Sequence, residues 1–376
     1  MSRRRPELAG GRRAERNLLL ARSYAQEVDT IASHPTAIVG CGPRAAAHAA
    51  AYRHVTAGTL AACCDIDEER LHRFGDRFGI ERRYTDVTAM LSEVQPHLVH
   101  LVTSPTVRWS VIEPILATRP PALLVEKPLA NRPSEGYRIL DACRSAGTLL
   151  FVNHQLRHHR PFIALHDAIR SGKLGRIEWV RASCRGNLLE QGTHLFDLIS
   201  ALFDDAGAEW IFAQAEGAAG YEGPHSAPAY TVGAIRLAGG VHVGFECGAL
   251  APTWRNEPNF WLNKGIEVVG TEGRAGSSTN HGWWVQTKSG LQAESVPYDQ
   301  EDDRAQGALI QSILTALDEP ERVADHPNNA ERSQISFDWV MAAQRSALRR
   351  QRVPLGLERV ADQEIEALKA ALQSSE

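Results

Sequence analysis

The sequence predicts a two-part α/β fold, in which a doubly wound parallel sheet is followed by an α+β domain with a large, mostly antiparallel open sheet. Three observations predict it. An apolar strand runs into a glycine-containing turn and an alanine-rich helix at residues 36–48. Apolar strands and helices then alternate up to residue 153, which favours parallel strands covered by helices. From residue 176 onwards, strand-like segments follow one another across short turns, which favours antiparallel pairing.

The first elements form a glycine motif. Residues 37–39 are apolar and predict a strand, Gly40 suits a tight turn, and Gly42 has no side chain to keep the backbone away from a pyrophosphate at a helix N-terminus. Pro43 fits the first helical turn, and Ala45 takes the third glycine position of the G-x-G-x-x-G pattern. The residues predicted to contact a dinucleotide here are Gly40, Cys41, Gly42, Pro43, Arg44 and Ala45.

The next strand ends in a carboxylate. Residues 60–65 are apolar up to Asp65, which follows Gly42 by 23 positions, close to the roughly 20 typical of the acid that binds an adenosine ribose. Asp65 and Ile66 are therefore predicted cofactor contacts. A carboxylate repels a 2′-phosphate, which favours NAD, while Arg44 and Arg70 leave NADP open. The alternative is an ordinary strand–turn–helix unit in which the aspartate caps a helix.

The remaining elements of the first half follow the same alternation. Asp67 is placed as an N-cap, Pro133 suits a first helical turn, and Gly58 and Gly147 suit helix ends. The predicted helices are 45–55, 67–78, 107–117 and 133–145, and the predicted later strands are 96–103, 122–126 and 148–153.

The regular alternation of strands and helices ends after residue 154. The predicted helices are 161–171, 192–202, 305–316, 334–350 and 363–373, and the predicted strands are 176–185, 210–215, 230–237, 241–247, 260–269 and 282–285, with turns at 238–240, 270–273 and 289–290. The predicted domains are a partly disordered or helical extension (1–35), a dinucleotide-binding Rossmann domain (36–154), a substrate-binding and oligomerisation domain (155–355) and a C-terminal helix or tail (356–376).

Composition restricts the function classes. A net charge of −4 over 376 residues gives no electrostatic footprint for nucleic acid or an anionic membrane. The 6 cysteines include no C-x-x-C pair and no cluster with zinc spacing, so we predict no metal and a reducing cytoplasm. The apolar run at 18–21 is too short for a secretion signal. Residues 14–32 are instead predicted to form a surface helix, after a disordered first dozen.

Two strand ends of the first sheet carry candidate chemistry. Glu126 and Lys127 follow a predicted strand directly, so Lys127 is aimed at the crevice where such folds bind ligands. Beside an oxidised nicotinamide its pKa would fall, which lets it exchange a proton with a substrate hydroxyl. Thr103, Ser104 and Pro105 end the preceding strand and are predicted to line the nicotinamide ribose. The alternatives are a solvated lysine and a turn started by the proline.

The second candidate constellation is Glu190, His194 and Asp197. Glu190 and His194 share a face if the helix starts early, and His194 and Asp197 are three residues apart. An apolar stripe at 195, 198, 199 and 202 places His194 in the first turn. A helix N-terminus pushes an imidazole toward neutrality, which suits proton exchange with an alcohol or carbonyl. The alternative is a buried histidine satisfied by Asp197.

In their order and spacing, these motifs resemble the Gfo/Idh/MocA family (glucose-fructose oxidoreductase, inositol dehydrogenase and rhizopine catabolism proteins). The resemblance covers roughly residues 36–350 and includes the glycine motif, the strand-terminal aspartate, Ser-Pro, Glu-Lys-Pro, Asn153-x-x-x-Arg157 and Glu190-x-Gly-x-His194-x-x-Asp197. It implies a Rossmann domain that binds NAD or NADP. It also implies catalytic roles for Lys127, His194 and Glu190, and a substrate pocket lined by Asn153, Arg157 and Asp197.

The resemblance implies a cytoplasmic NAD(P)-dependent oxidoreductase that moves a hydride between nicotinamide and a CH–OH carbon of a sugar, cyclitol or sugar derivative. A homodimer or homotetramer is expected. One alternative is an NAD-retaining lyase or glycosidase that oxidises a sugar transiently, with Glu190 or Tyr221 as acid or base. Another is a non-catalytic nucleotide-binding sensor. Arg157, Trp254 and Arg255 hint at an anionic or nucleotide-bearing substrate group.

Overall fold

The computed structural model describes residues 34–253, 257–356 and 358–375. It contains a six-stranded sheet with every strand pairing parallel and a nine-stranded sheet that is mostly antiparallel. The predicted fold class is therefore confirmed. The predicted helix at 14–32 and the hint from Trp254 and Arg255 lie outside the described residues.

The first sheet has the strand order β3-β2-β1-β4-β5-β6. The chain builds outward from β1 to β3 on one side and then crosses over to add β4 to β6 on the other side, so the order switches between β1 and β4. Ligands in such sheets bind at the carboxyl ends of the strands, beside this reversal. The strands are β1 (His34–Val39), β2 (Gly58–Cys64), β3 (Arg82–Tyr84), β4 (Leu98–Leu101), β5 (Ala122–Val125) and β6 (Leu149–Val152). The helices of this half are α1 (Pro43–Ala50), α2 (Glu68–Phe78), α3 (Val87–Val94), α4 (Arg108–Ala117) and α5 (Pro133–Ala146).

Local sequence signals account for these boundaries. Asp67 caps α2 by accepting the Arg70 N–H, as predicted, and Gly147 ends α5 in a left-handed conformation. The sequence did not predict β3 or α3. Strand β3 is three residues long and two of them are arginines, so it carries no apolar run. Asp86 nevertheless caps α3 in the same way that Asp67 caps α2.

The second sheet has the strand order β14-β13-β12-β11-β7-β10-β9-β8-β15, and only β7 and β10 pair in parallel. Its strands are β7 (Ile177–Cys184), β8 (Ala208–Glu216), β9 (Tyr230–Leu237), β10 (His242–Gly248), β11 (Lys264–Gly270), β12 (Gly273–Ser278), β13 (Gly282–Thr287), β14 (Gly290–Glu294) and β15 (Val353–Pro354). The predicted strand at 260–269 was too long, because residues Phe260–Leu262 form a 3₁₀ turn. Strands β12 and β14 were missed because β12 is made of small and polar residues and β14 is exposed throughout.

The helices of the second half are α6 (Arg160–Arg170), α7 (Thr193–Leu202), α8 (Asp302–Asp318), α9 (Ala330–Arg349) and α10 (Asp362–Gln373). Helix α8 returns to the first sheet, where its leucines and isoleucines at 309, 310, 313 and 314 join one apolar cluster with Leu98, Leu124 and Phe151. Helix α8 therefore packs with the Rossmann half, although it lies within the predicted second domain. No helix in the described part of the chain is both long and apolar enough to cross a membrane.

Candidate dinucleotide and substrate site

The glycine turn at the end of β1 is shaped by a close backbone approach. Gly40 has a φ of +90°, and a Cβ at this position would lie 2.6 Å from the carbonyl oxygen of Val102. Gly42 is the N-cap of α1 and makes no side-chain cap bond, and a Cβ there would meet no described heavy atom within 4 Å. The helix N-terminus thus faces open space with uncapped N–H groups, which fits the pyrophosphate of a dinucleotide.

Asp65 ends the second strand of this edge, but its carboxylate is already engaged. One oxygen accepts from the Cys41 N–H (2.7 Å) and Arg70 Nε (2.8 Å), and the other from the Asp67 N–H (2.9 Å) and Arg70 Nη2 (2.5 Å). These four donors fill the usual lone-pair positions of a carboxylate. A ribose hydroxyl must therefore displace Arg70 to reach it. Ile66 lies beside Asp65 and is 89% exposed.

The end of β4 offers a free hydroxyl. Thr103 Oγ1 is buried and has no hydrogen-bond partner within the described chain, which fits a sugar hydroxyl of the cofactor. Ser104 instead caps the 3₁₀ turn that Pro105 begins, accepting the Thr106 N–H. The buried Arg108, which the sequence did not single out, donates to the carbonyl oxygens of Thr103 and Glu126, joining the ends of β4 and β5.

Glu126 is the centre of a buried polar network. Its Oε1 accepts from Arg44 Nε (2.8 Å) and Asn153 Nδ2 (2.6 Å) and contacts His48 Nε2 (3.1 Å). Burial opposes ionisation, but Arg44 and His48 outweigh it and hold the pKa of Glu126 well below its usual value. The Glu126 carboxylate is thus an internal counter-charge for Arg44.

This network also engages two of the predicted site residues. The guanidinium of Arg44 also donates to Asp302 (3.1 Å) and Gln306 (2.7 Å) of α8, so only its backbone faces the dinucleotide turn. Asn153, which is predicted to line the substrate pocket, is fully buried, and its amide exchanges hydrogen bonds with Gln306 (2.8 and 3.1 Å) while it supports Glu126.

Lys127 crosses from the first sheet to the second half of the chain. Its Nζ donates to the Glu190 carbonyl oxygen at 2.5 Å. Burial lowers the pKa of Lys127, and the charge of Arg44 lowers it further, while Glu126 and Glu190 act in the opposite direction. The Lys127 ammonium thus lies at the start of the helix that carries His194.

That helical segment begins earlier than predicted. Residues Leu188–Gly192 form a π-helical turn, and the Asn187 side chain caps it by accepting the N–H groups of Leu189 and Glu190. The α-helix itself begins at Thr193 with Gly192 as N-cap, close to the predicted start, and the preceding π-helical turn adds the early start on which the shared face of Glu190 and His194 depends. Burial raises the pKa of the Glu190 carboxyl, and Lys127 lowers it.

The ring of His194 is buried and faces a second histidine. Its Nδ1 lies 3.5 Å from Nδ1 of His154, and this is its only hydrogen bond to the described residues. Burial lowers the pKa of His194 well below its usual value, and Lys264 and Lys127 lower it further. The ring is therefore neutral. The causes are burial and the nearby ammonium groups.

Within the described part of the chain, the Asp197 carboxylate forms no hydrogen bond with the His194 ring. Both of its oxygens accept from Arg157, at 2.8 Å each, and Arg157 also forms a two-pronged pair with Asp205 at 2.9 Å. All three side chains are buried. Arg157 and Asp197, which are predicted to line the substrate pocket, are thus engaged in an internal ion-pair cluster.

Two further site residues were missed by the sequence reasoning. His154 follows Asn153 at the end of β6, and its Nδ1 lies 3.9 Å from Asp197. Lys264 begins β11 and is only 3% exposed. Tyr221, one of the acids considered for an elimination reaction, instead donates to Gln344 at 2.9 Å in a buried position. The described residues contain no group of three or more side chains placed to hold a metal ion.

The fold and this edge define a dinucleotide-binding α/β protein with a second, sheet-based domain. Residues 35–154 match the family model described as "Oxidoreductase family, NAD-binding Rossmann fold". The match covers the predicted Rossmann domain, and NAD as the cofactor of that domain is confirmed.

Similar proteins are known by name. Over 193 residues the chain is 31% identical to a D-apiose dehydrogenase of Paraburkholderia graminis, covering 47% of this chain and 51% of the relative. Over 148 residues it is 26% identical to a myo-inositol 2-dehydrogenase of Thermotoga maritima, covering 39% and 44%. The matches thus span about half the length of these relatives.

A solved oxidoreductase of Agrobacterium radiobacter, crystallised with NAD+, L-tartaric acid and magnesium, shares the fold with a TM-score of 0.74. Its sequence identity to this chain is 21%, and the likeness covers 86% of this chain and 99% of that one. This second comparison extends the fold assignment beyond the Rossmann domain.

Proposed function

We propose that the protein is an NAD(P)-dependent oxidoreductase acting on a CH–OH group of a sugar, cyclitol or sugar derivative. One observation carries the proposal. Lys127, at the carboxyl end of a Rossmann strand, reaches 2.5 Å from the turn that leads into His194. A cationic donor thus lies at the turn before a neutral imidazole, and we infer that both groups face the predicted nicotinamide end of the dinucleotide site.

Each group has a distinct role in this proposal. The Lys127 ammonium donates a hydrogen bond to the reacting oxygen and stabilises negative charge on it. The neutral ring of His194 accepts the hydroxyl proton during oxidation and returns it during reduction. His154 holds the His194 ring from its Nδ1 side, and the Glu190 carboxyl lines the same turn. When bound, the nicotinamide supplies the hydride acceptor or donor.

The cofactor contacts we propose are the glycine turn 40–45, Asp65 with Ile66, the Thr103 hydroxyl and the neighbouring strand end. Asp65 favours NAD, and the Arg70 guanidinium on Asp65 keeps NADP open because it can also pair with a 2′-phosphate. The sugar or cyclitol class is supported by the names of the relatives, which oxidise D-apiose or myo-inositol. Six free cysteines are in keeping with a reducing cytoplasm.

A homodimer or homotetramer is proposed through the second sheet. Trp179, Val232 and Leu291 are large apolar side chains exposed on its strands, and an exposed apolar surface of this kind is typical of subunit interfaces. Sedimentation of the full chain would show the assembly.

The test is a substrate screen of the full chain with NAD and with NADP, following the absorbance of reduced nicotinamide over a panel of sugars, polyols and sugar acids. We expect net reduction of the cofactor with at least one compound and loss of that rate in Lys127→Met. Product formation without any change in nicotinamide would instead favour the lyase or glycosidase alternative. Tight NADH binding with no turnover of any compound would favour a sensor.

A further inference from the structure

The loop between β8 and β9, residues 217–229, is closed on itself and attached to α9. Its two ends are joined, because the Ala229 N–H donates to the Gly217 carbonyl oxygen at 2.8 Å. The hydroxyl of Tyr221, within the loop, donates to Gln344 of α9 at 2.9 Å. A compact loop whose ends meet is packed by its own side chains and holds its residues in place. This segment, the 217–229 loop, is therefore a fixed part of the second half.

The far side of the loop is attached to both halves of the molecule. Asn131, four residues after Lys127 in the Rossmann half, donates from Nδ2 to the Pro224 carbonyl oxygen at 2.9 Å. Asn187, in the second half, donates from Nδ2 to the His225 carbonyl oxygen at 2.8 Å. The loop therefore bridges the two halves beside the segment that follows β5.

Asn187 also connects the loop to the proposed catalytic lysine. Its Oδ1 accepts the Glu190 N–H at 2.9 Å, and the Glu190 carbonyl oxygen accepts from Lys127 Nζ at 2.5 Å. The two side-chain ends of one asparagine thus hold the His225 backbone and the turn that Lys127 contacts. Three hydrogen bonds in series join Lys127 to the backbone of His225.

The ring of His225 is half-buried and forms no hydrogen bond with any described residue. Burial, together with the charges of Lys127 and Arg108, lowers the pKa of His225 to about 4, and Glu126 acts in the opposite direction. These three charged groups lie at the end of β5, which indicates that the ring faces this strand end. At neutral pH the ring is uncharged and offers one N–H donor and one acceptor nitrogen.

A polar cleft of about 310 Å³ lies beside the loop, and a space of this size accommodates a sugar-sized molecule. Pro105 and Asn131, from the segments after β4 and β5, border the cleft on the Rossmann side. Ser226, the neighbour of His225, and Lys369 of α10 border it on the other side. The cleft therefore opens next to both the predicted nicotinamide contacts and the loop.

We propose that His225 is a substrate-binding residue whose ring forms a hydrogen bond with a hydroxyl on the carbon next to the reacting CH–OH group. This inference rests on the proposed oxidoreductase function. The substrate is then a vicinal diol: Lys127 and His194 act on the reacting oxygen, and the 217–229 loop recognises the second hydroxyl. A site built to bind a hydroxyl strongly rejects an analogue without it, because its own polar group is left unpaired.

The experiment compares compounds that differ in one hydroxyl. Initial rates with NAD are measured for D-glucose, D-galactose and D-ribose against their 2-deoxy analogues, and for myo-inositol against its monodeoxy analogues. Calorimetric titrations of the same compounds into the NADH complex measure affinity without turnover. The variants are His225→Phe, which removes both ring nitrogens, and His225→Gln, which keeps a donor and an acceptor. The matched control is His166→Phe, a half-buried histidine on α6.

We expect at least one compound to exceed its deoxy partner tenfold or more in kcat/KM or in affinity. That ratio should fall at least tenfold in His225→Phe, through KM more than through kcat, recover in part in His225→Gln and stay unchanged in His166→Phe. An unchanged ratio in His225→Phe would overturn the proposal, as would a loss of kcat at constant KM. Melting temperature and NADH affinity establish that the variants fold, and His225→Ala replaces a His225→Phe protein that does not.

A titration without substrate tests the placement of the ring. The pKa of His225, followed by NMR, should rise above about 4 in Lys127→Met, because a nearby positive charge is removed. The exposed Lys288→Met is the control and should leave this pKa unchanged. A His225 pKa that is the same in wild type and Lys127→Met would place the ring away from the lysine and refute the proposal.

The outcomes separate this inference from the proposed function. Net reduction of NAD by sugars, with equal deoxy ratios in wild type and His225→Phe, sustains the oxidoreductase and removes the role of His225. Affinity for a hydroxyl that depends on His225, without net nicotinamide reduction by any compound, sustains the binding role and removes the oxidoreductase.

Discussion

Removal of the Arg157 side chain tests whether this residue serves the substrate or the fold. The structure predicts that Arg157→Met destabilises the protein by about 3–5 kcal/mol, the range found when one partner of a buried ion pair is removed. The variant removes the two-pronged hydrogen-bonded ion pairs that Arg157 forms with Asp197 and with Asp205. Asp205 keeps Ser200 (2.9 Å) and Arg332 (3.1 Å), whereas Asp197 is left with His154 at 3.9 Å. Most of the cost therefore comes from Asp197.

The assay is equilibrium urea unfolding followed by tryptophan fluorescence, with NADH affinity of the folded fraction as a second measurement. Because Asp197 is left unpaired, the double variant Arg157→Met with Asp197→Asn should regain part of the loss. The control is Arg181→Met, which removes an exposed guanidinium from its pair with Glu267 (3.2 Å) and should cost less than about 1 kcal/mol. An Arg157→Met protein that unfolds at the wild-type urea concentration, with a raised KM, would refute the structural role and restore the substrate-binding one.

Three other predictions concern the cofactor turn and the buried lysine. Gly40→Ala places a Cβ at φ +90°, 2.6 Å from the Val102 carbonyl oxygen. We expect the free energy of unfolding, measured in urea, to fall by about 1–3 kcal/mol and NADH binding to weaken in titrations. Unchanged values for both would contradict the close approach. Arg70→Gln frees Asp65, so the ratio of NAD to NADP affinity should rise at least tenfold; a ratio that falls would show that Arg70 does not serve the phosphate. Lys264→Met should stabilise the protein at pH 7, because the lysine pKa falls from 10.5 to about 7 on folding, a cost of at most about 5 kcal/mol. Between these pH values the unfolded chain holds the extra proton, so wild-type stability rises with pH and the gap to Lys264→Met narrows toward pH 10; a gap that is constant from pH 7 to 10 in urea unfolding would contradict a buried, depressed lysine.

The fold was largely readable from the sequence because its signals are local. Gly40, Asp67 and Gly147 each occupy a backbone position that their residue type favours, and the apolar strand cores lie where the pattern predicts. The weakest strands, β3, β12 and β14, were missed because pairing with neighbours creates them. Their residues are charged, small or exposed, and no hydrophobic period marks them.

The site was predicted less completely, because side-chain partners come from distant parts of the chain. Arg157 is 40 residues from Asp197, and Arg44 is 258 residues from Asp302. Spacing along the sequence therefore does not predict that the guanidinium of either arginine is already paired with a carboxylate inside the protein. A signal for Lys264 was present, since a lysine directly before an apolar strand in a chain with few lysines is unusual, but burial of its ammonium follows only from the packing of α6 and α7 on the sheet.

The central claim is that Lys127 and His194 act together on one substrate oxygen beside the nicotinamide. Its most direct test is the rate of hydride transfer measured in single turnovers of Lys127→Met and His194→Ala, with the NADH dissociation constant determined for each variant. We predict that each rate falls by at least 100-fold while NADH affinity stays within about threefold of wild type. Wild-type rates in both variants would contradict the claim, as would a loss of rate explained entirely by lost NADH binding.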